Sequence, residues 1–173
     1  ENRPGASGNA AAALVAKSPP DGYTLFMASS IIAFPSLFPN IPFDINKDLA
    51  PISQVAMGPS VLVTHPSLPV RSVADLVALA KSRPGQINFA SQSSGSSSQL
   101  SAEMFKMAAG VQMTHIPYKG AGLAVTALVS GEVSVLFSVP AVAQPHIERE
   151  LGAHGFFSGL AGSISLSTSQ LHR

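Results

Sequence analysis

From residue 60 to residue 147 the sequence repeats one pattern. A short apolar run comes first, then a stop made of Pro, Gly or Ser, then a stretch with apolar residues at helical spacing. "SVLVTHP" (60–66), "INFA" (87–90), "VQMTHIP" (111–117) and "VSVLF" (133–137) have the length and content of buried strands. Between them, Val73, Leu76, Val77 and Ala80 fall at i, i+3, i+4 and i+7. That spacing predicts a helix capped by Ser72 and ending at Ser82, with one apolar face. Leu100, Met104 and Met107 mark a second helix that runs to about Ala109, with Gly110 as its stop. Ala121, Ala124, Val125 and Leu128 mark a third, over 121–130, and residues 140–149 suit a fourth. Strands alternating with helices at this spacing predict an α/β fold with right-handed crossovers and a mostly parallel sheet.

The ends of the chain read differently. Asn9 to Lys17 is predicted helical with Asn9 as N-cap. "SPPDG" (18–22) stops it, and "YTLFMA" (23–28) reads as a buried strand. Residues 31–50 are irregular, since Pro35, Pro39 and Pro42 interrupt any long element. Residues 150–173 are rich in Gly and Ser with weak periodicity, and are expected to be poorly ordered. The sequence opens at Glu1 without Met, as expected of a processed product or a piece of a longer chain. No fixed-period repeat is found.

Composition excludes several functions. Hydrophobic residues are 46% of the chain and charged residues 11%, enough apolar content for a packed core. Net charge is +1, and the ten Lys and Arg are scattered singly, so nucleic acid is not an expected partner. There is no cysteine, which removes disulfides, thiolate metal sites and a Cys nucleophile. No apolar stretch reaches the length of a membrane span. The five histidines show no metal-ligand spacing. The carboxylates Asp44, Asp48, Glu148 and Glu150 form no acid–base pair. P-loop, dinucleotide-binding and serine-hydrolase motifs are all absent, so no cofactor, no metal and no catalysis are expected. A small anion-handling enzyme ranks last among the readings.

Two strand-to-helix turns stand out. "SQSSGSSSQLSAEMF" (91–105) begins like a flexible linker but sits inside the alternating pattern, where connections are short and ordered. Ser96 and Gln99 fit a capping box, with the Gln side chain returning to the Ser96 amide. A helix N-terminus presents free N–H groups and partial positive charge, and suits an anion. On spacing alone, an ordinary capped turn and an anion cradle explain Ser91–Ser98 equally well. "PYKGAG" (117–122) is a second such turn and carries Lys119, for which a plain surface lysine is the simpler local reading.

The residues "ENRPGASGNAAAALVAKSPPDGYTLFMAS" (1–29), "PFDINKDLAPISQVA" (42–56), "VLVTHPSLPVRSVADLVALAKSRPGQINFAS" (61–91) and "SGSSSQLSAEMFKMAAGVQMTHIPYKGAG" (94–122) resemble the solute-binding proteins of tripartite tricarboxylate transporters, the Bug family. The resemblance continues to "PHI" (145–147), and its ENRPG, PDGYTL and PYKG signatures are specific in order and spacing. It implies a periplasmic-binding-protein-like (type II) α/β clamshell that closes on a small di- or tricarboxylate or aromatic carboxylate. It further implies a periplasmic location and membrane permease subunits as partners. Carried over residue by residue, it implies ligand contacts at Ser29, Ser91, Ser96, Ser97, Tyr118, Lys119 and Ser138. Ser138 stands where many members have Asp, which makes an amino-acid ligand less expected. The resemblance places a partial first domain at 1–54 and a nearly complete second domain at 55–148. It leaves 149–173 as a divergent tail. The alternative expectation is a truncated remnant that folds, as a homo-oligomer covering its exposed surface, without binding a ligand.

Overall fold

The computed structural model describes residues 1, 3, 6–28, 38, 40–56, 58–147, 154–158 and 163–167. Helix α1 is Asn9–Ala16. Strand β1 (Ser60–Thr64), helix α2 (Val73–Ser82), strand β2 (Asn88–Ser91), helix α3 (Ser97–Ala109), strand β3 (Thr114–Pro117), helix α4 (Ala121–Val129), strand β4 (Val135–Ser138) and helix α5 (Pro140–Ile147) follow, and strands β5 (His154–Ser158) and β6 (Ser163–Ser167) close the order. The six strands form one sheet in the order β3-β2-β4-β1-β5-β6.

Alternation along the strands divides the core in two. Phe89 of β2, Leu62 of β1, and Val135 and Phe137 of β4 face one side. There they pack with Leu76 and Ala80 of α2 and Ala102 of α3. Val61 and Val63 of β1, Ala90 of β2 and Leu136 of β4 face the other side, against Ala124, Val125 and Leu128 of α4 and Ala143 of α5. Leu76 and Leu128 are fully buried. Each side chain of that size contributes about 1.5–3 kcal/mol by leaving water. The predicted faces of α2 and α4 are these buried faces, and the mixed α/β fold stands as expected. The predicted face of α3 is not: Met104 and Met107 are 62% and 83% exposed, and the helix instead turns Ala102, Phe105 and Ala109 to the core.

The sheet is mixed rather than mostly parallel. β2 runs parallel to β3 and β4, but β1 pairs antiparallel with β4, Val61 opposite Ser138. A strand–helix alternation specifies sequence neighbours and not direction, and β4 has come between β1 and β2. At the N-terminus the cap of α1 is Gly8, not Asn9. Ser7 (φ 56) and Gly8 (φ 94) are both left-handed, so the chain turns in sharply and Asn9 becomes the first helical residue, 4% exposed. Residues 23–28 form no strand, and Tyr23, Leu25 and Met27 are 92%, 71% and 82% exposed. An apolar run becomes a strand only beside an edge that takes its backbone hydrogen bonds, and no described strand pairs with it. Within the tail, residues 154–158 and 163–167 are described as strands. β5 pairs antiparallel with both β1 and β6.

Candidate functional site

Because β2, β3 and β4 are parallel, Ser91, Pro117 and Ser138 end at one edge of the sheet. The antiparallel β1 begins there too. Two turns leave this edge, one into α3 on one face and one into α4 on the other. They are tied together by the main chain: the Tyr118 amide donates to the Ser91 carbonyl at 2.9 Å, and the Gly120 amide donates to the Gln92 carbonyl at 2.8 Å. Ligands of open α/β sheets bind beyond the carboxyl ends of the strands, which is this location. Gln92, Ser98, Ala121, Ala124, Leu136, Phe137 and Ser138 line a notch here with space for about one water.

Within the serine turn the hydroxyls have unequal roles. Ser96 caps α3, accepting from the Gln99 amide, and donates its single proton to the Ser93 carbonyl at 2.7 Å. Its 2.9 Å contact with Ser98 therefore has Ser98 as donor. Ser98 in turn accepts from the Gln92 amide at 3.1 Å. Ser91 is fully buried and also donates to the Ser93 carbonyl, at 2.9 Å. The capping box closes differently from expectation. The Gln99 side chain takes the Gly95 amide at 2.6 Å, because the Ser96 amide already closes the turn onto Ser93.

The Ser91 and Ser96 hydroxyls thus find their partners within the turn itself. Both are sealed inside the turn, at 0% and 2% exposure. Ser97 is exposed at the first position of α3. It accepts only a long contact from the Gln92 side chain, 3.5 Å, which leaves its proton available. The first amides of α3 and α4 have no partner within their own helices by geometry. α4 begins at Gly120 (φ 127) with no side-chain cap. Lys119 is exposed beside it. The Tyr118 hydroxyl is committed elsewhere, donating to Glu132 at 2.8 Å past the far end of α4. Burial, then that carboxylate, pushes the phenol up to about 12. Ser138 is half-buried in the notch. Ser29 lies outside the described residues.

Sequence reasoning missed four residues. Gln92 and Ser98 line the notch. Ser7, from before α1, donates to the Ser94 carbonyl at 2.8 Å, so its 2.8 Å contact with Ser93 has Ser93 as donor. No local pattern marked Ser7, whose partners lie 86 and 87 residues away. His115 sits 2.6 Å from the Ser91 hydroxyl through Nε2. The pair resembles a nucleophile and its base, but the Ser91 proton goes to a carbonyl and the residue is buried. That arrangement does not activate the Ser91 hydroxyl as a nucleophile. Among the described residues no group of three His, Asp or Glu could hold a metal.

The model of the family described as "Tripartite tricarboxylate transporter family receptor" matches residues 1–156. Protein BugT of Bordetella pertussis is 42% identical over 146 residues, covering 82% of this chain and 45% of BugT. The structure of R. palustris Rpa4515 with adipate superposes with a TM-score of 0.80 at 37% identity, over 86% of this chain and 50% of that one. MatC from Rhodopseudomonas palustris with bound malate gives 0.71 at 27% identity, over 83% and 50%. The chain spans about half the length of the relatives it matches.

Proposed function

The chain belongs to the tripartite tricarboxylate transporter receptor family, and from that membership we propose that it is the ligand-capturing part of a periplasmic receptor for a small carboxylate, delivered to membrane permease subunits. The observation that carries this reading is the pairing of two helix N-termini, α3 and α4, on one sheet edge, with Ser97 and Lys119 exposed beside them. Such an edge favours negative charge and offers donors without acceptors. A solute-binding neighbour holding adipate and another holding malate support a dicarboxylate. On this reading residues 55–148 are one lobe of a clamshell and residues 1–54 part of the other. Ser97, Lys119 and Ser138 contact the ligand. Ser91 and Ser96 shape the turn, Tyr118 acts through its main chain, and Ser29 is assigned by resemblance.

Thermal unfolding with adipate, malate, succinate and citrate tests the proposal, with adipamide as uncharged control. Binding shifts the midpoint by mass action. No shift with any carboxylate up to about 100 mM, a concentration that detects Kd values of tens of millimolar, overturns it. The exposed Tyr23, Leu25, Met27, Ile52 and Val55 favour a second reading, a chain that self-associates without binding a carboxylate. A monomer in sedimentation velocity would exclude that reading.

A further inference from the structure

We propose that His115 is a positioning residue for the carboxylate-receiving turn, acting through Ser91; this deepens the receptor reading above and rests on it. One proton decides the arrangement. The Ser91 hydroxyl has a single hydrogen, and its contact with the Ser93 carbonyl at 2.9 Å requires it. His115 Nε2, at 2.6 Å from the same oxygen, must then be the donor. This fixes the Nε2–H form of the ring. The ring is held flat by stacking on Phe89, with centroids 4.9 Å apart and planes at 21°. Phe89 lies opposite His115 in the β2–β3 register, so stack and hydrogen bond come from one strand pair.

The hydrogen bond propagates into the turn. With His115 as donor, Ser91 can turn its own proton only toward Ser93. The Ser93 carbonyl then receives three donors: the hydroxyls of Ser91 and Ser96 and the Ser96 amide, at 2.9, 2.7 and 3.3 Å. A trans peptide places its N–H opposite its C=O. Holding the Ser93 carbonyl inward therefore aims the Ser94 N–H outward, away from the packed turn. An anion reaching this edge meets an oriented amide beside the N-terminus of α3. A ring that donated from Nδ1 instead would leave Nε2 as an acceptor, draw the Ser91 proton to itself and release one of the three donors. The imidazole is thus the first member of a relay of orientation, His115 to Ser91 to Ser93, that ends at a main-chain donor.

The test separates this role from the receptor reading. Long-range ¹H–¹⁵N NMR of the ligand-free chain should show His115 protonated on Nε2 and bare on Nδ1. His115→Phe keeps a ring for stacking but removes the donor. It should speed exchange about tenfold at Gly95 and Ser96, the hydrogen-bonded amides of the turn, and weaken adipate binding by a similar factor. His115→Gln, which restores an N–H donor, should recover most of both. If His115→Phe does not fold, Ser91→Ala supplies the same readout: the Gly95 and Ser96 amides exchange faster, and the His115 Nε2–H loses its protection. An Nδ1–H ring, or unchanged exchange in these variants, overturns the proposal. Wild-type protein that binds no carboxylate would overturn the receptor reading, and the tautomer and exchange data would still decide the role of His115.

Discussion

Replacing Ser96 and replacing the adjacent Ser97 should have opposite kinds of consequence. Ser96→Ala removes a buried hydroxyl that caps α3, donates to the Ser93 carbonyl and accepts from Ser98. Loss of the cap costs about 1 kcal/mol. The Ser98 hydroxyl also loses its acceptor in a buried place, which costs roughly a further 1–2 kcal/mol. The Ser93 carbonyl keeps the Ser91 hydroxyl and adds little. The expected destabilisation is about 2–3 kcal/mol. Ser97→Ala removes an exposed hydroxyl at a position where alanine is a good helix former, so stability should stay within about 0.5 kcal/mol. Its effect appears on the ligand: one hydrogen bond to a carboxylate, about 1.5 kcal/mol, is roughly tenfold in Kd. Urea denaturation followed by far-UV circular dichroism measures the first quantity and calorimetric titration with adipate the second.

Ser96→Asp sharpens the comparison. Aspartate is as good an N-cap as serine, but it has no proton for the Ser93 carbonyl and sets a carboxylate against it. If capping were the whole role of Ser96, this variant would match wild type. On the geometry above it should be at least as damaging as alanine. A Ser96→Ala variant within about 0.5 kcal/mol of wild type, or an Asp variant that restores full stability, would refute the assignment of hydroxyls to inside and outside of the turn.

Gly95 has φ +74, and an added Cβ would run into the Phe38 ring. Gly95→Ala should cost about 1–2 kcal/mol from the left-handed backbone alone, plus the displacement of the ring; in a Phe38→Ala background only the backbone part should remain, and equal costs in both backgrounds would refute the contact. Tyr118→Phe should lower stability by about 0.5–1 kcal/mol through its bond to Glu132 and leave adipate affinity unchanged, because the hydroxyl is held away from the notch. A large loss of affinity on titration would return Tyr118 to the ligand. Burial lowers the pKa of His115 from 6.5, opposed by Glu103 and aided by Lys106, both on α3. The unfolded chain therefore binds the proton more readily than the folded one. This contribution to stability is complete above 6.5 and is lost as pH falls below 6.5 through the folded value. Denaturation midpoints measured from about pH 8 to about pH 5 should fall more steeply for wild type than for His115→Gln.

The strands, α2 and α4 between 60 and 147 were legible because each buries one stripe or face, and that demand is written in spacing; the face of α3 was not, since its methionines lie outward and its small Ala102 lies on the core. Val73, Leu76, Val77 and Ala80 predict a helix without knowing its partner. The direction of β1 was not legible, since Val61 to Thr64 would look the same in a parallel pair. Residues 23–28 show the same limit from the other side: their apolar content predicts burial, and the strand needs an edge that no local pattern supplies. In the site, the two turns were found by their residue types, but the roles within them were not. Ser91, Ser96 and Ser97 are chemically alike in sequence. What separates them is where each hydroxyl proton goes, and that depends on His115, from the next strand, and on the single carbonyl of Ser93.

The same geometry sets how tightly this surface can hold a carboxylate. The notch has room for about one water, against the few hundred Å³ that enclose a small ligand. A carboxylate laid on it meets the N-termini of α3 and α4, each worth roughly 0.3–1 kcal/mol when exposed. It also meets Lys119, at about 0–1 kcal/mol in water, and the Ser97 hydroxyl, at about 1.5 kcal/mol. Together these contribute roughly 2–4 kcal/mol. The freedom lost on association costs about as much or more, so binding to the open edge alone should be no tighter than about millimolar. Tight capture then requires a surface on the other side that excludes water and strengthens every one of these contacts. Ser7 and Phe38 already reach the serine turn from the N-terminal segment, so such a surface would close over Ser93, Ser94 and Gly95 first. An NMR titration with adipate should give a Kd near or above about 1 mM, with the largest shifts at Ser97, Ser98 and Ala121. A micromolar Kd would mean that the ligand is enclosed, and would refute the account of an open edge.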